Sequence, residues 1–403
     1  MAVDESFFEE VLGIRRPWEV GSVSLSENGK EAYVSVSTVR GSMFSCPVCG
    51  KECKVHDFYE REWRDLDLGN AATIIRARIP RTDCPEHGVK QISVPWAREY
   101  SRMTLNFERR CIEMMKEMPV NAVSRLMRVS DDVLWKIISS YVHIAMDKVD
   151  MSNVRKLGID ETSCRKGHDY ITIFADMDTR KVLFATPGKS SDAVREFVSW
   201  LEKHNGSAEN ITDVSCDMSK AYIFGVNEAL PNAKITLDRF HVMKLANKAV
   251  DDVRKDVQKD KKESLKIKYQ LLMRRKKLSK DFPDELKKLD IVLKENILIG
   301  SAYVLKEMLG DLYLLESEDV GLVHLDKWIV LASAGVHDSM KKLSETISKY
   351  KELILQWFSS RISNGIMEGI NSVIQAVKRM ARGYRVRDNM ITMLYLRGSG
   401  ISI

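Results

Sequence analysis

The segment Val154-Arg155-Lys156-Leu157-Gly158-Ile159-Asp160-Glu161 decides how the chain is organised. Its apolar and β-branched residues predict a strand over Val154–Ile159, and Asp160 then stands at the tip of that strand. A carboxylate packs poorly at the end of a buried strand but is well suited to chemistry. We therefore expect Asp160 to be the first of three metal-binding carboxylates, with the other two supplied from far downstream.

Strands and helices alternate after this first strand. The predicted elements are strands Tyr170–Ala175 and Lys181–Thr186, helix Ser191–His204, strand Ile211–Asp217, helix Ala221–Leu230, strand Ala233–Asp238 and a helix beginning near Phe240. This β-β-β-α-β-α-β-α order is that of the ribonuclease H-like fold, in which the first and fourth strands are neighbours. Asp160 and Asp217 should then lie together. Adjacent carboxylates repel unless a cation lies between them, and hard oxygen ligands suit Mg²⁺ or Mn²⁺.

The motif Gly188-Lys189-Ser190 matches the end of a phosphate-binding P-loop. A P-loop also needs an earlier glycine at position 183, which is Leu183 here. We therefore expect the motif to end the third strand and to cap the next helix, and we predict no ATP site.

A long, highly charged stretch from Lys248 to Tyr350 separates these strands from the last candidate carboxylate. It has no strand pattern and is predicted to be an all-helical insertion. The segment Ser363–Ser372 then opens a further helix with Glu368 in its first turns. The predicted polar face of that helix, available to a substrate, consists of Asn371, Lys378 and Arg382.

Four of the seven cysteines lie between Cys46 and Cys84. Clustered cysteines in a chain without a secretion signal indicate metal rather than disulfides. Cys46 and Cys49 form one turn-containing pair, and Cys84 and His87 form a second, which together predict a tetrahedral structural Zn²⁺ site. Reduced cysteines without metal are the alternative. The rival donors in the same stretch are Cys53 and His56.

The segment from 101 to 150 has helical rather than strand periodicity. The predicted helices are Leu105–Met118, Val120–Met127 and one that starts at Asp131, after the turn Arg128-Val129-Ser130. A short helix, a three-residue turn and a longer helix are typical of the helix-turn-helix motif. We expect this segment to contact DNA, with a small helical bundle as the alternative. Its candidate DNA-binding residues are Arg128 and Lys136.

Length and charge set the remaining limits. A chain of 403 residues is too long for one compact core. The net charge is only +6, but positions 361 to 403 carry seven bases against two acids, a patch that favours phosphate as a partner. A solvated helix face is the alternative. The candidate DNA-binding residues of this patch are Lys378, Arg379, Arg382 and Arg385.

Localisation is predicted from the absence of targeting and membrane signals. No apolar run approaches ~18 residues and the start is acidic, so a cytoplasmic protein is expected.

These motifs in combination resemble a known family. Asp160 in GIDE, Asp217 in SCDMS and Glu368 in SNGIMEGIN, followed by KRMARGY, are similar to the DDE transposases of the ISL3 group of bacterial insertion sequences. The segment from Asp238 to His241 resembles the (C/D)xxH signature that accompanies the second aspartate in such enzymes. The cysteine region and the helix-turn-helix also fit, so the resemblance covers nearly the whole chain. His87 departs from it, because the second knuckle would more usually end in Cys; imidazole is an equally good zinc ligand.

The resemblance implies a DNA transposase that acts on the terminal inverted repeats of its element. Asp160, Asp217 and Glu368 would hold two divalent ions for strand cleavage and strand transfer. His241 would position the scissile phosphate, with a structural role as the alternative. The implied partner is double-stranded DNA, bound by a homodimer or larger assembly at the bacterial nucleoid. The alternatives are a ribonuclease H-like nuclease or resolvase without strand transfer and a catalytically silent DNA-binding regulator.

Together these inferences predict a multidomain α+β protein with a ribonuclease H-like α/β catalytic core. The predicted domains are a zinc-binding β module at 1–97, a helix-turn-helix at 101–150, core segments at 151–247 and 356–403, and an all-helical insertion at 248–355.

Overall fold

The computed structural model describes residues 5–164, 169–261, 266–335, 337–362, 364–381 and 383–403, with side chains for all of these except 260–261 and 364–368. The chain divides into two compact units, Met1–Ile138 and Ser139–Ile403. Both contain strands and helices, which confirms the α+β class. The five predicted domains are a finer division and stay a prediction. Within the described ranges, no helix combines the length and apolar character that a membrane span requires.

The amino-terminal unit is built on a six-stranded sheet in the order β1-β2-β5-β4-β3, with β6 paired to β5. Strands β4 and β5 are antiparallel and form a hairpin. Along β5, Ile75, Ala77 and Ile79 are buried while Arg76 and Arg78 are exposed, as the alternating pattern predicts. The elements are α1 (Glu5–Leu12), β1 (Trp18–Leu25), β2 (Glu31–Thr38), β3 (Phe44–Ser45), β4 (Glu52–Arg64), β5 (Ala72–Cys84) and β6 (Gly88–Gln91).

Three helices follow the sheet: α2 (Leu105–Glu117), α3 (Val120–Met127) and α4 (Asp131–Met146), the last of which crosses the boundary between the units. The hydroxyl of Thr104 caps α2 by accepting from the backbone N–H of Phe107 at 3.1 Å, and it donates to the buried carboxylate of Asp65 at 2.7 Å. Arg128 ends α3 in the left-handed conformation, with φ of 55°. That residue makes the turn before α4, so the predicted helix-turn-helix forms without a glycine.

The carboxy-terminal unit contains a five-stranded sheet in the order β11-β10-β7-β8-β9. Strand β7 is antiparallel to β8 and parallel to β10, and β10 is parallel to β11. The first and fourth strands of this unit are therefore neighbours, as predicted. The elements are β7 (Lys156–Ser163), β8 (Tyr170–Asp176), β9 (Lys181–Pro187), α5 (Asp192–Lys203), β10 (Asp213–Cys216), α6 (Lys220–Ala229), β11 (Lys234–Leu237) and α7 (Arg239–Lys261).

Asp160 is not at the tip of its strand, and this part of the prediction is wrong. Strand β7 continues to Ser163, because its antiparallel partner β8 pairs with it as far as Tyr170. The parallel pairing between β7 and β10 ends earlier, at Gly158 and Ser215. Asp160 therefore lies beyond the parallel part of the sheet while still being held by β8, opposite Ile173.

The Gly188-Lys189-Ser190 motif ends β9 as predicted, but it does not cap the next helix. The residue before α5 is Ser191, and its side chain makes no capping hydrogen bond. The ammonium of Lys189 instead lies 4.4 Å from the ring centre of Tyr170 and 3.8 Å from a carboxylate oxygen of Glu161.

The described part of the stretch from 248 to 350 is helical, as predicted. Helix α7 runs through position 248 without a break, and the helices after it pack around a shared apolar core that includes Tyr303, Leu305 and Trp328. After these helices the chain returns to the five-stranded sheet of the carboxy-terminal unit. The remaining helices are α8 (Lys268–Leu272), α9 (Arg275–Asp281), α10 (Pro283–Glu295), α11 (Ile297–Asp311), α12 (Glu318–Ser333), α13 (Asp338–Lys349), α14 (Lys351–Leu355), α15 (Trp357–Ser360), α16 (Asn364–Ala381) and α17 (Arg387–Gly398).

Candidate functional site

Four cysteine and histidine side chains meet in the amino-terminal unit. The potential ligand atoms of Cys46, Cys49, Cys84 and His87 all lie within 4.8 Å of one another. Sγ of Cys84 is 3.6 Å from Nδ1 of His87 and 3.7 Å from Sγ of Cys49. The backbone N–H groups of Glu86 and His87 favour the thiolate and lower the pKa of Cys84 to about 7. Three thiols and one imidazole form a closed donor set of the type that structural zinc uses.

The two rival donors lie elsewhere in this region. Cys53 is buried beside the cluster, but its thiol donates to the carbonyl of Lys51 at 3.3 Å. His56 is half-exposed, and its Nδ1 lies 3.4 Å from a carboxylate oxygen of Asp57. Neither belongs to the group of four.

The two candidate DNA-binding residues of the helix-turn-helix differ in their surroundings. Lys136 is exposed on α4. The guanidinium of Arg128 is instead paired with Asp67 and donates to the carbonyl of Asn70 at 3.3 Å. Arg128 thus holds the turn against the end of the β4–β5 hairpin, whereas Lys136 is available to a ligand.

A second group of polar residues lies where the parallel strands of the carboxy-terminal unit end. Asp217 follows β10 directly, and its Oδ1 accepts from the backbone N–H of Ser219 at 2.9 Å. Asp238 follows β11, and its Oδ2 lies 3.1 Å from Nδ1 of His241. Asp160 lies beyond the part of β7 that pairs with β10. Parallel neighbours end on one edge of a sheet, which is why these residues lie close enough to interact electrostatically.

Burial is the main influence on Asp160. Loss of hydration raises the pKa of its carboxyl, and the hydrogen bonds from Asn371 and from the backbone N–H of Glu161 oppose this effect. The hydrogen bond with Asp238 raises the pKa of His241, and Asp160 and Asp217 contribute in the same direction. Among the described side chains, only the cysteine–histidine group brings three or more potential metal ligands within 4.8 Å of one another. The acidic residues are thus neighbours, not a closed ligand set.

Helix α16 brings the most distant residue to this edge. The side-chain amide of Asn371 donates to Oδ2 of Asp160 at 2.7 Å. Sequence reasoning placed Asn371 on a face open to substrate and missed this contact. The register of the helix could have suggested it, since Asn371 lies three positions after Glu368 and positions three apart share a helix face. The side chain of Glu368 lies outside the described residues.

The basic residues of the carboxy-terminal segment also differ in their surroundings. Nζ of Lys378 lies 3.3 Å from Oγ1 of Thr162 on β7, so Lys378 faces the sheet edge. Arg379 and Arg385 are exposed. Arg382 lies outside the described residues.

Comparison with known proteins finds a family model for the cysteine region, for the helix-turn-helix and for the unit that contains the five-stranded sheet. Residues 157–394 match a family model described as "Transposase" of the ISL3 type, and residues 92–142 match the "Helix-turn-helix domain of transposase family ISL3". Residues 43–87 match the "zinc-finger of transposase IS204/IS1001/IS1096/IS1165". The chain is also 26% identical to the transposase for insertion sequence element IS1557 of Mycobacterium tuberculosis, over 98% of this chain and 95% of that one. It is 27% identical to the transposase for IS1001 of Bordetella parapertussis, over 85% of this chain and 86% of that one.

Proposed function

The chain belongs to the ISL3 family of transposases and is a DNA transposase, and we propose that its strand cleavage and strand transfer take place at the sheet edge that carries Asp160 and Asp217. One observation carries this assignment: Asp160, Asp217 and Asp238 come from three strands that are parallel neighbours in the sheet, and they lie close together where the parallel pairing ends. The zinc-finger match and the cysteine–histidine cluster also support a structural zinc site.

We propose that the core of the carboxy-terminal unit is ribonuclease H-like. The sheet order β11-β10-β7-β8-β9, with β8 antiparallel to both of its neighbours, supports this fold. So does the placement of α5 and α6 between the strands along the chain. This arrangement lets residues that are far apart in sequence share one edge.

Asp160, Asp217 and Glu368 are proposed to hold two Mg²⁺ or Mn²⁺ ions. The donor set fits hard cations, because carboxylate oxygens are the ligands that such ions prefer. Burial of Asp160 among other acidic groups adds to the fit, since a cation would offset their repulsion. When bound, such ions activate the attacking oxygen and stabilise the leaving oxygen in displacement at phosphorus. Glu368 enters this proposal through its position three residues before Asn371 in α16.

The residues around Asp160 are proposed to fix its orientation. Asn371 donates to Oδ2 of Asp160, and the backbone N–H of Glu161 donates to Oδ1 at 2.7 Å. Both carboxylate oxygens of Asp160 therefore accept hydrogen bonds from uncharged donors. The ring of His241 is held through Nδ1 by Asp238, so Nε2 is the nitrogen left to donate to a scissile phosphate.

We propose DNA contacts from the helix-turn-helix and from the basic residues of the carboxy-terminal segment. Lys136, Arg379 and Arg385 are exposed and suited to phosphate. Lys378 faces the sheet edge and would neutralise backbone charge close to the reaction. Arg128 has a packing role that leaves it little freedom for DNA. Because two element ends must be joined, we also propose a homodimer or larger assembly.

Cleavage of end-sequence DNA tests this function. Asp160→Ala, Asp217→Ala and Glu368→Gln should each abolish cleavage, and also strand transfer of pre-cleaved ends, while binding of end DNA persists. Matched controls are Asp178→Ala and Glu202→Gln, which replace exposed acids and should retain activity. Strong cleavage by any of the three variants would remove that residue from the site. Cleavage without transfer in the unaltered protein would favour a nuclease or resolvase.

A further inference from the structure

A groove of about 1150 Å³ lies on the outer face of the sheet in the amino-terminal unit. Strands β1, β2, β4 and β5 provide its floor, and the segment from Tyr100 to Met103 borders it. That segment is held against β4, because the backbone N–H of Arg64 donates to the carbonyl of Arg102 at 2.9 Å. Its lining residues on β4 and β5 lie within the region matched by the zinc-finger family model, and Tyr100, Arg102 and Met103 lie within the region matched by the helix-turn-helix model.

The floor of the groove is made of small residues. Along β2, Ala32, Val34 and Val36 point into the core, so Ser35 and Ser37 face outward. Gly21 and Ser22 of β1 continue this surface, where the pairing of β1 with β2 shifts by one residue. Small side chains allow an extended polymer to approach the sheet closely.

The walls are positively charged. Five arginines line the groove. Glu60 and Glu62 lie among them, and Asp67 pairs with Arg64, which leaves two positive charges. The guanidinium of Arg76 lies 3.7 Å from the ring centre of Tyr33, and that of Arg78 lies 5.1 Å from the ring centre of Phe58. Both guanidinium groups are also ion-paired, Arg76 with Glu62 at 2.6 Å and Arg78 with Glu60 at 3.9 Å, each through Nε. Stacking and pairing hold them in place, and their terminal N–H groups are the ones offered to phosphate. Arg102 is exposed at the border.

A tyrosine at the border of the groove is open to solvent. Tyr100 is 84% exposed in a left-handed backbone conformation with φ of 60°. Exposed aromatic rings next to a basic groove are the features by which proteins hold unpaired nucleic-acid strands, since each base can stack on a ring. Paired bases inside a duplex do not offer their faces in this way.

We propose that this groove binds an unpaired DNA strand. Its arginines would contact the phosphodiester backbone, and Tyr100 would stack with a base. The proposal rests on the proposed DNA transposase function, in which cleavage and joining at element ends expose single strands. It adds a ligand surface on the sheet, distinct from the helices α2, α3 and α4 to which duplex DNA binding is assigned.

Binding of the full-length protein to a fluorescent oligo(dT) and to an end-sequence duplex tests the proposal. Tyr100→Ala should weaken oligo(dT) binding about tenfold and Tyr100→Phe should restore it, because the ring is what stacks. Arg102→Ala should weaken binding and reduce the slope of log affinity against log salt by about 0.7, as expected for one phosphate contact on a single strand. Duplex binding should be unchanged in all three variants.

Two exposed residues outside the groove provide matched controls: Arg16→Ala, at an ion-paired surface arginine, and Tyr269→Ala. Neither should affect oligo(dT) binding. Unchanged oligo(dT) affinity in Tyr100→Ala and Arg102→Ala would overturn the proposal, as would an equal loss of duplex binding or tighter binding of oligo(U). Duplex end binding and cleavage by the unaltered protein report on the transposase function independently.

Discussion

Asn371 and Asp160, which are 211 positions apart in the sequence, are joined by a hydrogen bond of 2.7 Å from the amide Nδ2 to the carboxylate Oδ2. The bond links α16 to β7 and brings the carboxy-terminal segment to the edge of the sheet. On the proposed assignment of Asp160, Asn371 would therefore position that carboxylate.

We predict that Asn371→Ala reduces cleavage of end DNA roughly 10- to 100-fold, because an outer partner that orients a metal-binding carboxylate typically has this effect. The Mg²⁺ concentration for half-maximal cleavage should rise, while the affinity for end DNA and the melting temperature stay unchanged. Cleavage assays across a Mg²⁺ titration measure this. The control is Asn232→Ala, which removes an exposed amide that bonds to the carbonyl of Glu209. A normal Mg²⁺ dependence in Asn371→Ala would show that the hydrogen bond is only structural.

The zinc cluster makes a prediction that separates the rival ligands. Purified protein should contain about one Zn²⁺ per chain, and Cys84→Ser should lose it, because four ligands close the site. Cys53→Ser and His56→Ala should keep it, since neither side chain belongs to the group of four. Metal analysis of the three variants, prepared in parallel, measures this. Loss of zinc in Cys53→Ser with retention in Cys84→Ser would reverse the assignment.

Lys136 and Arg128 should respond differently to substitution. Lys136→Ala should weaken end-DNA binding and reduce the salt dependence of log affinity by about 0.9, the value for one lost phosphate contact on duplex DNA. Arg128→Ala should instead lower the stability of the amino-terminal unit, because its guanidinium joins the helix turn to Asp67 and Asn70. Titrations by fluorescence anisotropy at several salt concentrations, together with melting curves, distinguish the two effects. A larger change of salt slope in Arg128→Ala would contradict this division.

Asp65 should make the stability of the amino-terminal unit depend on pH. Burial raises the pKa of this carboxyl, although Thr104 and the backbone N–H of Leu66 donate to it. The folded state therefore holds the proton at a pH where the unfolded state, with an ordinary pKa of about 3.9, has released it. Stability contributed in this way is present at low pH and is lost as the pH rises through the folded pKa.

Asp65→Asn keeps an oxygen for Thr104 but cannot ionise. Its free energy of unfolding relative to the unaltered protein should therefore increase as the pH rises from 4 to 8. Urea unfolding followed by tryptophan fluorescence measures the difference, with Asp131→Asn as the exposed control in the same unit. A difference that falls with rising pH would mean that the hydrogen bonds outweigh the burial of Asp65.

Sequence reasoning was most successful where the relevant geometry is local. The spacing of Cys46 and Cys49, and of Cys84 and His87, is set by two short turns, and the structure brings these four residues together. The order of strands and helices along the chain could be predicted as well, because apolar runs alternate with amphipathic helices, and the first and fourth strands of the sheet are neighbours as expected. Asp217 and Asp238 follow their strands directly, as the pattern indicated.

The sequence was least informative where a partner from elsewhere in the chain decides the outcome. The length of β7 depends on how far β8 pairs with it, which the residues of β7 alone do not reveal. The surroundings of Arg128 depend on Asp67, some sixty positions earlier. The contact of Asn371 with Asp160 depends on how the whole helical stretch folds back. Such contacts are settled by tertiary packing, which overrides local preference.

The link between Asn371 and Asp160 also bears on the timing of synthesis. The amino-terminal unit leaves the ribosome first, and domains generally fold as they emerge. The edge carrying Asp160 is complete only after position 371 has been translated. Any shortened product that ends after the amino-terminal unit and before position 371 therefore retains the proposed DNA-binding unit and lacks the assembled site. On the proposed assignments, such a product would occupy element ends without cutting them and would act as an inhibitor of the full-length protein.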